Sequence, residues 1–311
     1  MGRKSKTDPT GQASNRKKAT KRLNARLRKA RREILQLFAK VPRTRSIEKP
    51  VVNQVVYSYD LTPEQQENLS AEIATALALA LETTEERVPA DWFYSPSVEL
   101  PYRQGTQEEI VSFNQMVAAA VLAGAVTSTG LPPQRIPPEV VLSLPKYRAG
   151  VKAAYVRNYG LIKTLGEKTA GQVYERINAG MAAGVKPTNI AGDIKKRFDV
   201  SSANAKRIVD TETNKAFNDG KMNMVEMAAE ETGLTAGVIH ISALLPTTRD
   251  THAARHGNAY TIRDQNAWWD TDANRINCKC SVQSVLIDSS GAVVQKEERD
   301  EIRQEGKEFF A

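Results

Sequence analysis

Apolar residues recur at helical spacing from Ala19 onward, with Leu23, Leu27, Ala30, Ile34, Leu37, Phe38 and Val41 three or four apart until Pro42 ends the run. The pattern predicts an amphipathic helix whose remaining surface is filled by Lys and Arg. Beyond Pro50, the cluster Val51, Val52, Val55, Val56 and Tyr57 reads as a short strand or an extended arm. Thr62 then caps a helix that has Pro63 at its first position. Its apolar residues nearly encircle the segment from Ala71 to Leu81, which predicts burial between neighbours. The turn-rich stretch 88–105 carries Trp92, Phe93, Tyr94 and Tyr102 and reads as an aromatic loop plugging a core edge or an interface. Thr106 and Glu109 read as a capping box that opens a helix running to about Val126.

Four prolines between Ser128 and Pro138 predict a boundary. Helices are expected over 146–164, 167–182, 188–198 and 202–231, with breaks at Gly160, Gly166, Gly184 and Val200-Ser-Ser202, and with Ser201 or Ser202 capping the last. Ile239, Ile241, Ala243 and Leu245 alternate with His240, Ser242 and Leu244, as a strand would. Asp250 can cap a short helix through Thr251 to His256 that Gly257 stops in the left-handed conformation. The tail 297–310 is charged and amphipathic. These elements predict a mainly helical α+β fold, with a small C-terminal β-sheet and a basic N-terminal helical arm. The chain divides into that arm at 1–49, a helical domain at 50–138, a domain at 139–290 and a tail at 291–311.

Charge changes this picture at one end. Residues 1–49 hold 17 Lys and Arg against 3 Asp and Glu, net +14, and the other residues hold 27 against 33, net −6. The stretch from Met1 to Ala13 has no periodicity and is expected to be disordered. The helix after it presents Arg16, Lys17, Lys18, Lys21, Arg22, Arg26, Arg28, Lys29, Arg31 and Arg32. Such density suits the phosphates of duplex DNA, which it would bind without reading sequence by releasing counterions. A membrane surface and a merely solvated face, whose apolar stripe docks on the chain itself or on a partner, are the competing readings. No run of 18 apolar residues and no signal-peptide pattern occurs, so a soluble protein made in the cytoplasm is expected. Cysteines one residue apart suit a reducing compartment.

All three histidines and both cysteines of the 311 residues fall between His240 and Cys280. His252 and His256 lie four apart on the expected short helix and face the same side. With Cys278 and Cys280 they form a chemically adequate set for one tetrahedral zinc ion. In an extended strand the two cysteines stand about 7 Å apart, so only a turn at Asn277 would let both reach one ion. Against the metal stands the reading in which the cysteines are small buried hydrophobes and the histidines cap or bond loops. Neither a Walker phosphate loop nor a Gly-x-Ser-x-Gly or His-Glu-x-x-His pattern occurs. Glu212 with His252 could form an acid/base pair, but a buried helical glutamate is more often structural, and no catalytic residue is assigned.

Two stretches carry a resemblance. Arg249-x-x-His252, Gly257, a Trp-containing loop and Asn277-Cys278-Lys279-Cys280 look like the C-terminal signature of the phage Mu protein F-like family of minor head proteins. Upstream, Asp210-Thr211-Glu212-Thr213-Asn214-Lys215-Ala216-Phe217-Asn218 is similar to that family's Arg-Thr-Glu-Thr-Asn-x-Ala-Phe-Asn helix. Asp210 stands where the family usually has arginine, so no role of that arginine carries over. The resemblance covers roughly residues 150–290 and implies a structural protein of the phage virion. It would be made in the host cytoplasm, would bind the portal protein and packaged double-stranded DNA, would contact the capsid or scaffolding protein, and would assist head morphogenesis or genome ejection. A metal-dependent nuclease or ADP-ribosyltransferase-like effector packaged in the virion is the rival reading.

Overall fold

The computed structural model describes residues 6–49, 54–83, 91–124, 132–288, 292–294 and 296–310. The chain is mainly helical with two small antiparallel sheets, the α+β class expected. It forms two compact units, each assembled from separate stretches of sequence.

The unit made of residues 19–93 and 157–208 contains most of helix α1 (Ala13–Ala39). The predicted apolar stripe is there, with Leu23, Leu27, Ala30 and Ile34 fully buried. Strand β1 (Thr44–Lys49) pairs antiparallel with β2 (Gln54–Ser58), so the valine-rich stretch is a strand; Val51 and Val52 lie outside the described residues. Helix α2 (Pro63–Leu81) starts at Thr62 with the reciprocal bonds of a capping box to Gln65. The expectation that α2 is buried all round fails at Leu79, which is 58% exposed. The unit also holds the second half of α6 (Pro145–Ala182) and the first part of α7 (Pro187–Thr232). Neither helix breaks where the sequence suggested. Gly160 and Gly166 sit inside α6, the latter where a Cβ would come within 3.0 Å of Leu81 Cδ1. Ser201 caps nothing, because its hydroxyl turns back to the Arg197 carbonyl and meets Thr169 Oγ1.

The second unit, residues 1–18, 94–156 and 209–311, carries the histidines and cysteines. Residues 6–12, expected to be disordered, are placed in turns, and Thr10 and Gln12 are buried. The aromatic stretch is helical where described: α3 (Asp91–Tyr94), a π turn over Ser95–Glu99 that accommodates Pro96, then α4 (Leu100–Leu122). Thr106 and Glu109 are therefore inside a helix, not a capping box. Thr106 Oγ1 bonds the Tyr102 and Gly220 carbonyls, and Glu109 is fully buried. Residues 125–131, which include the expected end of that helix at Val126 and the first part of the proline-rich boundary, lie outside the described residues.

After α5 (Pro138–Ser143) and the α6–α7 stretch, β3 (Ala236–Ile241) forms the middle of a three-stranded sheet. Its neighbours are β4 (Ala259–Tyr260) and β5 (Ser281–Leu286), both antiparallel. Short helix α8 (Asp250–Ala253) and α9 (Ile262–Asp270) lie between strands, and α10 (Lys296–Phe310) closes the unit. Val238 and Val282 pack with Met222, Val225 and Trp269, while Ile239 and Val285 pack with Ile302 of α10. Both faces of the central strands are thus covered. A third cluster joins Ile110, Phe113 and Val117 of α4 to Met224, Met227 and Ala228 of α7.

Helices α4 and α7 cross in contact at two glycines. A Cβ on Gly105 would lie 2.0 Å from the Phe217 carbonyl oxygen, and one on Gly220 2.2 Å from that of Tyr102. Gly220→Ala should therefore destabilise the protein by about 1–3 kcal/mol through overpacking, although alanine favours the helical backbone by up to about 1 kcal/mol. Urea unfolding of the full chain checks this, and a variant as stable as the parent would show that the helices can move apart at no cost.

Candidate functional site

The site begins with a problem of hydrogen bonding. Strand β5 is at the edge of its sheet, and the residues of the run 278–284 with even numbers turn their backbone groups away from β3. Buried carbonyls and amides without partners are costly. Helix α7 supplies the partners. Asn214 Nδ2 donates to the Cys278 carbonyl at 2.8 Å, Asn218 Nδ2 to that of Cys280 at 3.0 Å, and Lys221 Nζ to that of Val282 at 2.6 Å. Thr211 Oγ1 accepts from the Asn277 amide, and Glu109 Oε1 of α4 accepts from the Ser284 amide.

Positions 211, 214, 218 and 221 lie on one helix face because their spacing is three and four. From Asn214 to Lys221 the helix rises about 10.5 Å, whereas the strand from Cys278 to Val282 extends about 13 Å. The long side chain of Lys221 spans the difference. Its ammonium also sits 3.1 Å from Glu109 Oε2, so the two charges are buried as a pair. The motif residues Thr211 and Asn214 are thus occupied in holding the strand, and Glu212 is a buried side chain of the same helix.

That clamp positions the cysteines. Asn277, with φ 54°, makes the left-handed turn that the sequence required, and both sulfurs reach one imidazole nitrogen. Cys278 Sγ lies 3.5 Å and Cys280 Sγ 3.4 Å from His252 Nδ1. Arg249 fixes the neighbouring loop, its guanidinium donating to the carbonyls of Ala273, Asn274 and Ile276. It is the residue before α8, and Asp250 begins that helix without capping it. A shallow pocket opens here, lined by Arg249, His252, Cys278, Lys279 and Cys280 among others.

Of the four residues read from the sequence as ligands, the structure brings together three. Helix α8 ends at Ala253, and His256 Nδ1 accepts from the Ser242 amide, so His256 is not among them. The group of potential ligands whose atoms converge, among the described residues, is His240, His252 and Cys280, all within 4.8 Å of one another. Sequence reasoning missed His240 by choosing the two histidines four apart on the expected short helix as the imidazole pair. His240 pairs across the sheet with Val282 and so shares a face with Cys280. Its Nδ1 is 3.3 Å from Gln265 Oε1, and its ring sits edge-on to Trp268 at 5.3 Å.

Burial, then the Arg255 charge, pushes the His240 pKa down to about 3, which keeps its imidazole neutral. Hydrogen bonding from Cys280, with a further contribution from His252, pulls the Cys278 thiol well below its ordinary range, and the same bond with burial pushes Cys280 up. The arrangement therefore favours one thiolate beside the neutral His240 imidazole, the kind of ligand pair that binds soft and borderline metals. Gly257, with φ 74°, is where α10 closes on the site, since a Cβ there would lie 2.5 Å from Arg303 Cγ.

Arg16 is placed differently from the phosphate contact expected of it. It is buried, with one Nη 2.6 Å from Asn214 Oδ1 and its Nε 4.0 Å from Asp210. Arg26 bonds Glu82 and the Ala80 carbonyl and lies over the Trp92 ring. Lys17, Lys18, Lys21, Arg22, Arg28, Lys29 and Arg32 are exposed, and Arg31 is partly so.

The clamp leads to a stability test. Asn218→Ala leaves the Cys280 carbonyl without its donor in a buried setting and should cost about 1–3 kcal/mol in urea unfolding. A change below about 0.5 kcal/mol, the scale of ordinary surface substitutions, would mean that the strand edge does not need the helix.

No curated protein and no solved structure matches the chain. A family model does: residues 171–283, from within α6 to within β5, match the model described as Phage Mu protein F like protein. That segment contains α7 with its strand clamp, the His/Cys cluster and the left-handed turn before it, so the part of the chain that builds the site is the part similar to the Phage Mu protein F-like family of head morphogenesis proteins.

Proposed function

We propose that the protein is a structural, non-catalytic minor head protein of a tailed bacteriophage. It acts within the virion, where it binds the portal protein and packaged duplex DNA, contacts capsid or scaffolding protein, and assists head assembly or genome ejection. The family match supports the head. The observation that carries the DNA part is the two-sided character of α1. Its apolar stripe is sealed in the core, while Lys21, Arg22, Arg28, Lys29 and Arg32 remain exposed. Among the described residues Lys21, Arg28 and Arg32 have no carboxylate partner, unlike Lys29 with Glu33 and Arg31 with Asp199. Cations held by a rigid helix without counter-charges suit a phosphate backbone. Among the described residues no helix is long and apolar enough to cross a membrane. The His/Cys cluster belongs to the same reading as a structural zinc centre, since two thiols and imidazoles gathered as buried side chains match zinc better than they match a nucleophile and its base.

Because α1 is part of the core, its DNA contacts are tested by charge reversal and not by deletion. The full chain should bind duplexes of unrelated sequence equally, with affinity falling steeply as salt rises. The triple variant Lys21→Glu, Arg28→Glu, Arg32→Glu should lower the slope of log affinity against log salt by about 0.9 for each phosphate that is no longer neutralised. Fluorescence anisotropy with an unfolding control reads both. Unchanged binding by a stably folded triple variant would remove the DNA role. Degradation of the duplex that disappears in His252→Ala would replace the structural reading with the nuclease one.

The portal contact has its own measurement. Coexpressed with portal protein, the chain should copurify with portal oligomers. Equal incorporation into particles assembled from capsid protein alone would show that the portal is not its partner.

A further inference from the structure

We propose that the zinc centre is a closed four-ligand site made by Cys278 Sγ, Cys280 Sγ, His252 Nδ1 and His240 Nε2, with His240 as the fourth ligand and His256 as no ligand. The proposal rests on the reading of the cluster as a zinc centre and adds which atoms bind and what the ion joins.

Geometry is the first support. Zinc bonds of about 2.3 Å to sulfur and about 2.0–2.1 Å to nitrogen, at the tetrahedral angle, put ligand sulfur and nitrogen about 3.5 Å apart. His252 Nδ1 stands 3.5 Å from one sulfur and 3.4 Å from the other. Two edges of a tetrahedron are therefore already at length. Cysteines two apart on a regular strand would splay; here the Asn277 turn and the bonds of Asn214 and Asn218 to the two cysteine carbonyls leave both sulfurs within 3.5 Å of His252 Nδ1.

The fourth corner is chosen by position, because the ligand atom of His240 converges with those of His252 and Cys280, whereas that of His256 is not in the group. His240 is fully buried, its Nε2 has no hydrogen-bond partner, and its Nδ1 is held by Gln265. A metal-binding histidine has this outer-shell arrangement, one nitrogen bonded to an orienting acceptor and the other turned to the ion. Its ligand atom is within 4.8 Å of those of His252 and Cys280. His256 instead uses Nδ1 to accept the Ser242 amide and packs its ring against Gly306 of α10. The chosen set is two sulfurs and two nitrogens, a closed composition with no place left for water, which makes the ion structural and not hydrolytic. It would tie the short helix α8 to β3 and to the turn that leads into β5, fastening a segment of little regular structure to the paired strands.

The test uses the full chain, purified without chelators, with zinc and cobalt(II) as probes. Elemental analysis should give about one zinc per chain, and X-ray absorption at the zinc edge should give two sulfur and two nitrogen neighbours. His240→Gln should weaken zinc in competition with a chromophoric chelator by at least about tenfold, the lower end of what losing even an outer-shell partner does. His256→Gln should retain the parent's affinity. His240→Cys, which supplies a ligand instead of removing one, should keep the metal and raise the sulfur count to three. Should His240→Gln fail to fold, the parent's neighbour count and the His256→Gln and His240→Cys variants still decide. A parent that contains no zinc and shows no thiolate-to-cobalt absorption on titration overturns the zinc reading and the ligand set with it. Zinc lost from His256→Gln and kept unchanged by His240→Gln, or a parent site with one or three sulfurs, overturns this ligand set and leaves the zinc reading standing.

Discussion

An edge strand buried by other elements must satisfy its outward backbone groups, and the unit around the histidines and cysteines depends on how this one does so. Most folds pair such an edge with another strand or leave it to water. Here a helix does the pairing through side chains, with Asn214, Asn218 and Lys221 meeting alternate carbonyls and Glu109 meeting an amide from a second helix. The crossing of α4 and α7 at Gly105 and Gly220 brings both helices close enough for this. The Glu109 and Lys221 charges can be buried because each has the other and a backbone group besides. The motif residues Thr211, Asn214 and Asn218 are thus explained without chemistry. Their business is the strand, and the strand carries the cysteines.

How much of this can be read from the sequence differs by element. The α1 stripe, the Thr62 cap, the glycine stop at Gly184 and the left-handed conformation of Gly257 follow from local rules, and they are found, although the helix expected to run up to Gly257 ends at Ala253. Breaks expected at Gly160, Gly166 and Val200-Ser-Ser202 are absent. A glycine costs a helix only about 1 kcal/mol, which packing readily outweighs, and Ser201 has a buried partner 32 residues away that no local window contains. Thr106 and Glu109 have capping-box spacing for a non-local reason. One bonds across to the Gly220 carbonyl and the other to the Ser284 amide. Polar residues at cap spacing cannot by themselves be told from polar residues at helix-contact spacing.

The site shows the same limit. Cys278, Cys280 and His252 are legible because a rare pair of residue types clusters near a turn, and Asn277 supplies that turn. The choice between His240 and His256 is not. Four-residue spacing favours His256 only if the short helix runs on to it, and α8 stops at Ala253. Alternation places His240 on the polar face of a strand, which in a sheet covered on one side is the wet face. This sheet is covered on both sides, by α10 on one and by α7 with α9 on the other. The one sequence signal for this is the amphipathic tail. Ile302 among charged neighbours marks a helix with something to cover, but it covers the Ile239 face, and the His240 ring is covered from the other side by Trp268 and Trp269 of α9.

The departure at Asp210 is also explained by residues far away in sequence. The family's arginine would place a second guanidinium beside that of Arg16, whose Nε stands 4.0 Å from Asp210 and whose Nη bonds Asn214. In this chain the segment around Thr10 and Arg16 lies against the motif helix, with Asp8 and Asn214 as further partners. A negative residue at 210 makes the approach of Arg16 favourable, whereas a positive one would oppose it at a separation where screening is weak for groups this buried. The sign at position 210 and the docking of residues 6–16 are therefore one adaptation. By sequence Arg16 heads the row of cations on α1, and its burial beside Asp8, Asp210 and Asn214 separates it from the cations further along the helix that stay exposed.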